Sequence, residues 1–182
     1  MKNNRVQKIT RIAVLSAIAY LLQMLGSFMG LKVAGFLEIE FSDFPALIGA
    51  FAIGPLAGVL VELIKNLLHC FTTSTGFVGE FANFMVNGVF VLTAGLIYKY
   101  NRTRRGAMVS MLIAVLAMTL SAMATNLFVM LPLYMKDAPF NVKLNLVLTT
   151  ITPFNFIRGT VLSLITFFSY KKLKPLLADK RK

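Results

Sequence analysis

Apolar residues gather into five long stretches, at about 12–29, 44–68, 81–98, 107–133 and 146–168, with short polar segments between them. A helix needs about 20 such residues to cross the hydrocarbon core of a bilayer, and these stretches meet that length. The second differs in its internal pattern, because Gly54-Pro55 sits near its middle. Gly ends helices and Pro opens them, so the pair predicts two helices in place of one. The expected fold is therefore an all-α membrane protein of six transmembrane helices.

Charge chooses between five spans and six. Most of the 19 basic residues fall in three clusters: Lys2, Arg5, Lys8 and Arg11; Lys99, Arg102, Arg104 and Arg105; and Lys171, Lys172, Lys174, Lys180, Arg181 and Lys182. Five spans from a cytoplasmic start would put the second and third clusters outside, against the positive-inside rule. Six spans put all three clusters inside and leave Lys32, Lys136 and Lys143 outside, with both termini cytoplasmic. The net charge of +12 thus reports topology. A nucleic-acid partner is not expected, because such a partner needs a basic solvated face and these clusters flank apolar spans.

Composition agrees, with 57% apolar and 14% charged residues and a mean hydropathy of +0.75. The predicted organisation is a basic cytoplasmic segment at 1–11, a single six-helix transmembrane domain at 12–172 and a basic cytoplasmic tail at 173–182. The basic start followed by 12–22 resembles a signal peptide, but the apolar run continues to Met29 without a small-residue cleavage site. It reads as a retained first span. One Cys and one His provide neither a disulfide nor a four-ligand zinc site. No cofactor or metal is expected. The chain has no G-x-x-x-x-G-K-[ST] phosphate loop, no H-E-x-x-H motif and no Cys/His nucleophile set, so an intramembrane enzyme is disfavoured.

The split second stretch has a geometric consequence. Residues 44–53 rise only about 15 Å at 1.5 Å per residue, half the hydrocarbon thickness. The segment 26–41, which alternates apolar and acidic residues over 37–41, is predicted to fold back over the outer mouth above this short helix. Ser42 or Asp43 is expected to cap its N-terminus, with Pro45 in the first turn. Ala46, Ala50, Gly54 and Gly58 have the spacing of close helix packing.

Polar residues inside the spans cluster on one side of the membrane midplane. Span direction places Asn66 and His69 in the outer part of the third helix and Glu80, Asn83 and Asn87 on one face of the fourth. Thr125 and Asn126 fall in the outer half of the fifth, and Asn155 and Arg158 in that of the sixth. This asymmetry predicts an outward-opening solute pocket; a pore would be polar from end to end. Glu62 and Lys65, at i and i+3, read as an internal ion pair. Asn87 is equally an interhelical hydrogen bond or a ligand contact, and His69 is a candidate for snorkelling to the interface. Asn155 and Arg158 share a turn with no acidic residue nearby in sequence, which marks them as a pocket. Phe28, Phe36, Phe77, Phe81, Phe84, Phe128, Phe154 and Phe156, with Tyr20, are candidates for a flat aromatic slot, or for a lipid-facing surface. Amides beside such a slot suit a planar heterocycle with edge carbonyl and N–H groups.

Three blocks carry a resemblance. Leu37-Glu38-Ile39-Glu40-Phe41-Ser42-Asp43-Phe44-Pro45-Ala46-Leu47, Gly54-Pro55-Leu56-Ala57-Gly58-Val59-Leu60-Val61-Glu62 with Lys65-Asn66, and Pro153-Phe154-Asn155 with Arg158-Gly159 resemble the riboflavin-specific S components of energy-coupling factor (ECF) vitamin importers. The likeness implies a six-helix subunit of a bacterial cytoplasmic membrane that captures riboflavin from outside as transported ligand. Its partners would be a transmembrane T component and two cytoplasmic ATP-binding subunits. It further implies that Asn155, Arg158 and Asn126 contact the polar edge of the isoalloxazine ring. Glu80, Asn83, Phe36 and Leu37 would complete the site, with the first extracellular loop as a cover. The family pattern has Lys where this chain has Arg158, which keeps the charge and changes the hydrogen-bond geometry. Ala13 and Ala17, with Ser16 beside them, form a small flat face that the resemblance assigns to docking on the T component; packing within the bundle is the alternative. An S component for another small vitamin or a nucleobase-like solute would share these features.

Overall fold

The computed structural model describes residues 2–30, 32–33, 37–38, 41–73 and 77–177. Among these residues six helices form one bundle: α1 (Lys2–Met29), α2 (Asp43–Ala52), α3 (Pro55–His69), α4 (Val78–Tyr100), α5 (Arg104–Tyr134), and α6, which begins as Phe140–Leu146 and ends as Thr152–Leu177. Between α1 and α2 a two-residue antiparallel pair, β1 (Lys32–Val33) and β2 (Leu37–Glu38), sets Lys32 opposite Glu38. Helices α1, α4, α5 and α6 are each long and apolar enough to cross a membrane. With 10 and 15 residues, α2 and α3 are shorter than a full span, and the predicted short second helix is present.

The break between α2 and α3 follows from two residues. Gly54 has φ +143° and ψ 164°, a conformation open essentially to glycine, and Pro55 starts α3 at its first position. Small residues then let α2, α3 and α4 approach closely. A Cβ on Gly58 would lie 2.5 Å from Val91 Cγ1 and 2.7 Å from the Ala46 carbonyl oxygen; one on Gly95 would lie 2.8 Å from Pro55 Cα. Helix α2 also packs on α1 and α6, so the shortest helix stands at the centre of the bundle.

Apolar side chains fill the end of the bundle where α4 turns into α5, close to the second basic cluster. Leu47, Val61, Phe90, Ala94, Met118 and Leu162 are buried there or just above. Phe51 stacks on Tyr98 with ring centroids 4.2 Å apart, and Tyr170 meets both edge-on. The Arg104 guanidinium lies 5.2 Å from the centroid of the Phe167 ring, within cation–π range.

At the opposite end α5 and α6 each widen into a π-helical turn, Asn126–Met130 and Val147–Ile151. The cause is visible in sequence. Pro132 and Pro153 have no N–H to donate, and their rings press on the carbonyls four residues earlier, those of Phe128 and Thr149. Both carbonyls lie inside the widened turns, which take them out of the proline's way. The Thr152 hydroxyl donates to the Val147 carbonyl at 2.8 Å and helps close the second turn. Isolated π turns recur at functional sites, and these two touch each other beside the cavity described next.

Candidate substrate-binding cavity

Above α2 the bundle encloses a cavity lined by Gln23 of α1, Leu37 of β2, His69 and Thr73 at the end of α3, and Glu80, Ala82, Asn83, Val86 and Asn87 of α4. Helix α5 adds Asn126 and Met130, and α6 adds Phe154, Asn155 and Arg158. Six of the predicted binding residues, Leu37, Glu80, Asn83, Asn126, Asn155 and Arg158, thus meet in one place. Phe36 lies outside the described residues.

The two asparagines flanking the π turns are oriented by their own helices. Asn126 Nδ2 donates to the Ala122 carbonyl at 2.8 Å, and Asn155 Nδ2 to the Ile151 carbonyl at 2.9 Å. A carbonyl can only accept, so each bond fixes which side of the amide carries nitrogen. The amide oxygen and the second N–H of each remain for a ligand. Asn87 Nδ2 donates to Asn83 Oδ1 at 2.9 Å within α4, so this amide bonds along its own helix and not between helices.

Arg158 has an acidic partner that sequence proximity did not reveal. Asp43, expected as a helix cap, makes no capping bond, nor does Ser42, whose dihedrals are already helical at φ −64° and ψ −21°. Both side chains turn to the bundle interior. Lys65 Nζ donates to Ser42 Oγ at 3.0 Å and to Asp43 Oδ1 at 2.7 Å, while Arg158 Nη2 donates to Asp43 Oδ2 at 2.5 Å. The predicted Glu62–Lys65 ion pair is present at 2.7 Å. Two carboxylates and two cations therefore share one buried network, the compensation that low-dielectric surroundings require. Asp43, Glu62 and Lys65 are 0% exposed, and of the four only Arg158 lines the cavity. The positive end of the α2 dipole adds to the stabilisation of Asp43 in its first turn.

His69 does not snorkel. It is buried, and its Nδ1 lies 3.0 Å from Glu80 Oε1, joining the last turn of α3 to the first turn of α4. The aromatic slot is also revised. Phe28, Phe77, Phe81, Phe128 and Phe156 are exposed on the outside of the bundle, and Tyr20 and Phe84 are half-buried away from the cavity. Phe154 alone of the described candidates lines it, beside an aliphatic wall of Leu37, Ala82, Val86 and Met130. Phe suits a lipid-facing surface as well as a pocket, so residue type could not separate the two. Gln23 was missed by sequence reasoning; a lone amide in the outer half of the first span, 4% exposed here, was its signal. Ala13 and Ala17 are exposed on α1 and take no part in packing the bundle core, whereas Ser16 is buried and donates to the Ile12 carbonyl at 2.9 Å. The flat face therefore consists of the alanines without Ser16.

Comparison with known proteins places this geometry. Residues 7–170 match the family described as ECF transporter, substrate-specific component. The chain is 36% identical to the riboflavin transporter RibU of Staphylococcus aureus (strain TCH60), over 97% of this chain and 94% of that one. It is 33% identical to the riboflavin transporter FmnP of Bacillus subtilis (strain 168), over 97% of each. A solved structure of the S component of a bacterial ECF transporter superposes over the full length of both chains with a TM-score of 0.81 at 34% identity. The long apolar helices and these relatives make the chain a multi-pass membrane protein, and it belongs to the family of substrate-specific components of ECF transporters.

Proposed function

We propose that this S component captures riboflavin from outside the cell in the cavity above α2. The carrying observation is the convergence of Asn126, Asn155 and Arg158 on one cavity beside an aliphatic wall and Phe154. The pyrimidine-like edge of a flavin ring alternates carbonyl acceptors with an imide donor. An asparagine amide held by its own helix offers the complementary donor and acceptor, and Arg158 adds a donor only. Relatives that span nearly the whole chain and are named riboflavin transporters support the same ligand. Glu80, Asn83 and Leu37 lie at positions to contact the remainder of the molecule, and His69 and Thr73 add polar groups for its hydroxyls.

Uptake needs an energy source that this chain does not encode, since it carries no phosphate-binding loop. A T component and two ATP-binding subunits supply it in this reading, with the exposed Ala13 and Ala17 as the docking stripe. Titration of purified protein in detergent with riboflavin tests the proposal. Saturable fluorescence quenching is expected, without competition from thiamine or biotin; no binding at micromolar riboflavin would reject it.

A further inference from the structure

Arg158 faces the cavity but does not bring a net charge to it. Its guanidinium donates to Asp43 Oδ2, while the other oxygen of the same carboxylate accepts from Lys65, which also pairs with Glu62. Were Asp43 needed only to neutralise Lys65, Glu62 would suffice, since it already sits 2.7 Å from the ammonium. The negative charge of Asp43 is in surplus for α3 and is balanced by Arg158 on α6. The other charged cavity residue, Glu80, is engaged by His69, which lines the cavity beside it.

We infer that Asp43 is a positioning residue that sets the charge selectivity of the cavity: by binding the Arg158 guanidinium it offers the ligand hydrogen-bond donors without a free cation, and so selects an electrically neutral ring edge. This inference rests on the riboflavin reading given above. An uncompensated guanidinium buried beside a ligand favours the anionic form of whatever it touches. The imide N–H of a flavin can supply that form by losing its proton to solvent. With Asp43 in place, Asp43 and Glu62 offset the attraction, and the imide keeps its proton.

The bound flavin reports this directly, because deprotonation of the imide changes its absorption spectrum. In Asp43→Asn the bound imide is expected to titrate at least one pH unit below its value in wild type, equivalent to about 1.4 kcal/mol. Asp43→Glu, which keeps the charge, is expected to stay nearer wild type than Asp43→Asn. In Asp43→Asn/Arg158→Gln the lowering should vanish, because the effect runs through Arg158. Arg158→Gln alone provides a second measurement independent of the folding of Asp43→Asn: it leaves a surplus carboxylate and should move the imide titration upward. An unmoved titration in Asp43→Asn, an equal lowering in the double variant, or an unmoved titration in Arg158→Gln each overturns the inference. Failure of wild type to bind riboflavin overturns the functional reading and this inference with it, whereas wild-type binding with an unmoved titration overturns only the inference.

Discussion

Replacing Asn155 by Ala tests the site at its best-defined group. The side chain is 4% exposed, and its Nδ2 is fixed by the Ile151 carbonyl at 2.9 Å. Truncation removes an oriented acceptor and a donor from the cavity wall. The bond to Ile151 is lost in free and bound protein alike, so it cancels from the affinity. What does not cancel is the ring atom left facing a void. An unsatisfied buried polar group costs about 1–3 kcal/mol, and each 1.4 kcal/mol is about tenfold in dissociation constant. Riboflavin affinity should therefore fall roughly 5- to 150-fold. Asn155→Asp, similar in shape, should lose more, because it removes the donor and sets a carboxylate against the carbonyl acceptors of the ring edge. Fluorescence quenching measures the dissociation constant, with thermal unfolding of each variant recorded alongside. A change below twofold in Asn155→Ala, at an unchanged unfolding midpoint, would refute the assignment of this amide to the ligand.

Three further outcomes follow from the packing, the charge network and the topology. Gly58→Ala sets a Cβ against Val91 and the Ala46 carbonyl, and overpacking of this kind should destabilise by about 1–3 kcal/mol, read as a lower unfolding midpoint in detergent; a midpoint equal to wild type would contradict the close approach of α2, α3 and α4. Lys65→Met leaves Asp43 and Glu62 sharing only Arg158, and breaking a buried pair costs about 3–5 kcal/mol. Folding yield should drop and recover in part when Glu62→Gln restores charge balance, and a fully stable single variant would argue against the network. In a Cys70→Ser background, a cysteine at Asp137 should react with a membrane-impermeant maleimide on intact cells and one at Arg102 only after permeabilisation; the reverse pattern would invert the orientation read from the basic clusters.

Features that depend on local rules were legible in the chain. Gly54-Pro55 announced a helix break because the glycine conformation and the missing proline N–H act on adjacent residues. The i, i+3 pair of Glu62 and Lys65 was readable for the same reason. The convergence of Asn126, Asn155 and Arg158 was inferable because a membrane helix converts sequence position into depth. Asp43 was misread where a local rule competed with a distant partner. Its place before Phe44-Pro45 fits a cap, but its carboxylate is claimed by a cation 115 residues away. No spacing rule reaches that far. The π turns lay between these cases: Pro132 and Pro153 were in plain view inside apolar spans, yet a proline predicts a distortion without saying whether the helix kinks or widens.

The short α2 connects these findings. A helix of full length would start at the membrane interface, where Ser42 and Asp43 could be hydrated. Ending at Ala52 after 10 residues, α2 instead begins inside the bundle, with Asp43 0% exposed. That start carries the partial positive charge of the helix dipole and a buried carboxylate, and the carboxylate demands partners. Lys65 and Arg158 answer the carboxylate, and Glu62 balances the second cation. Among the described residues the column above α2 holds no helix and becomes the cavity, floored by the same Arg158 that closes the charge network. A polar binding site and a buried ion network are therefore two consequences of one helix that stops half-way. A change that lengthened α2 outward would be expected to abolish both together.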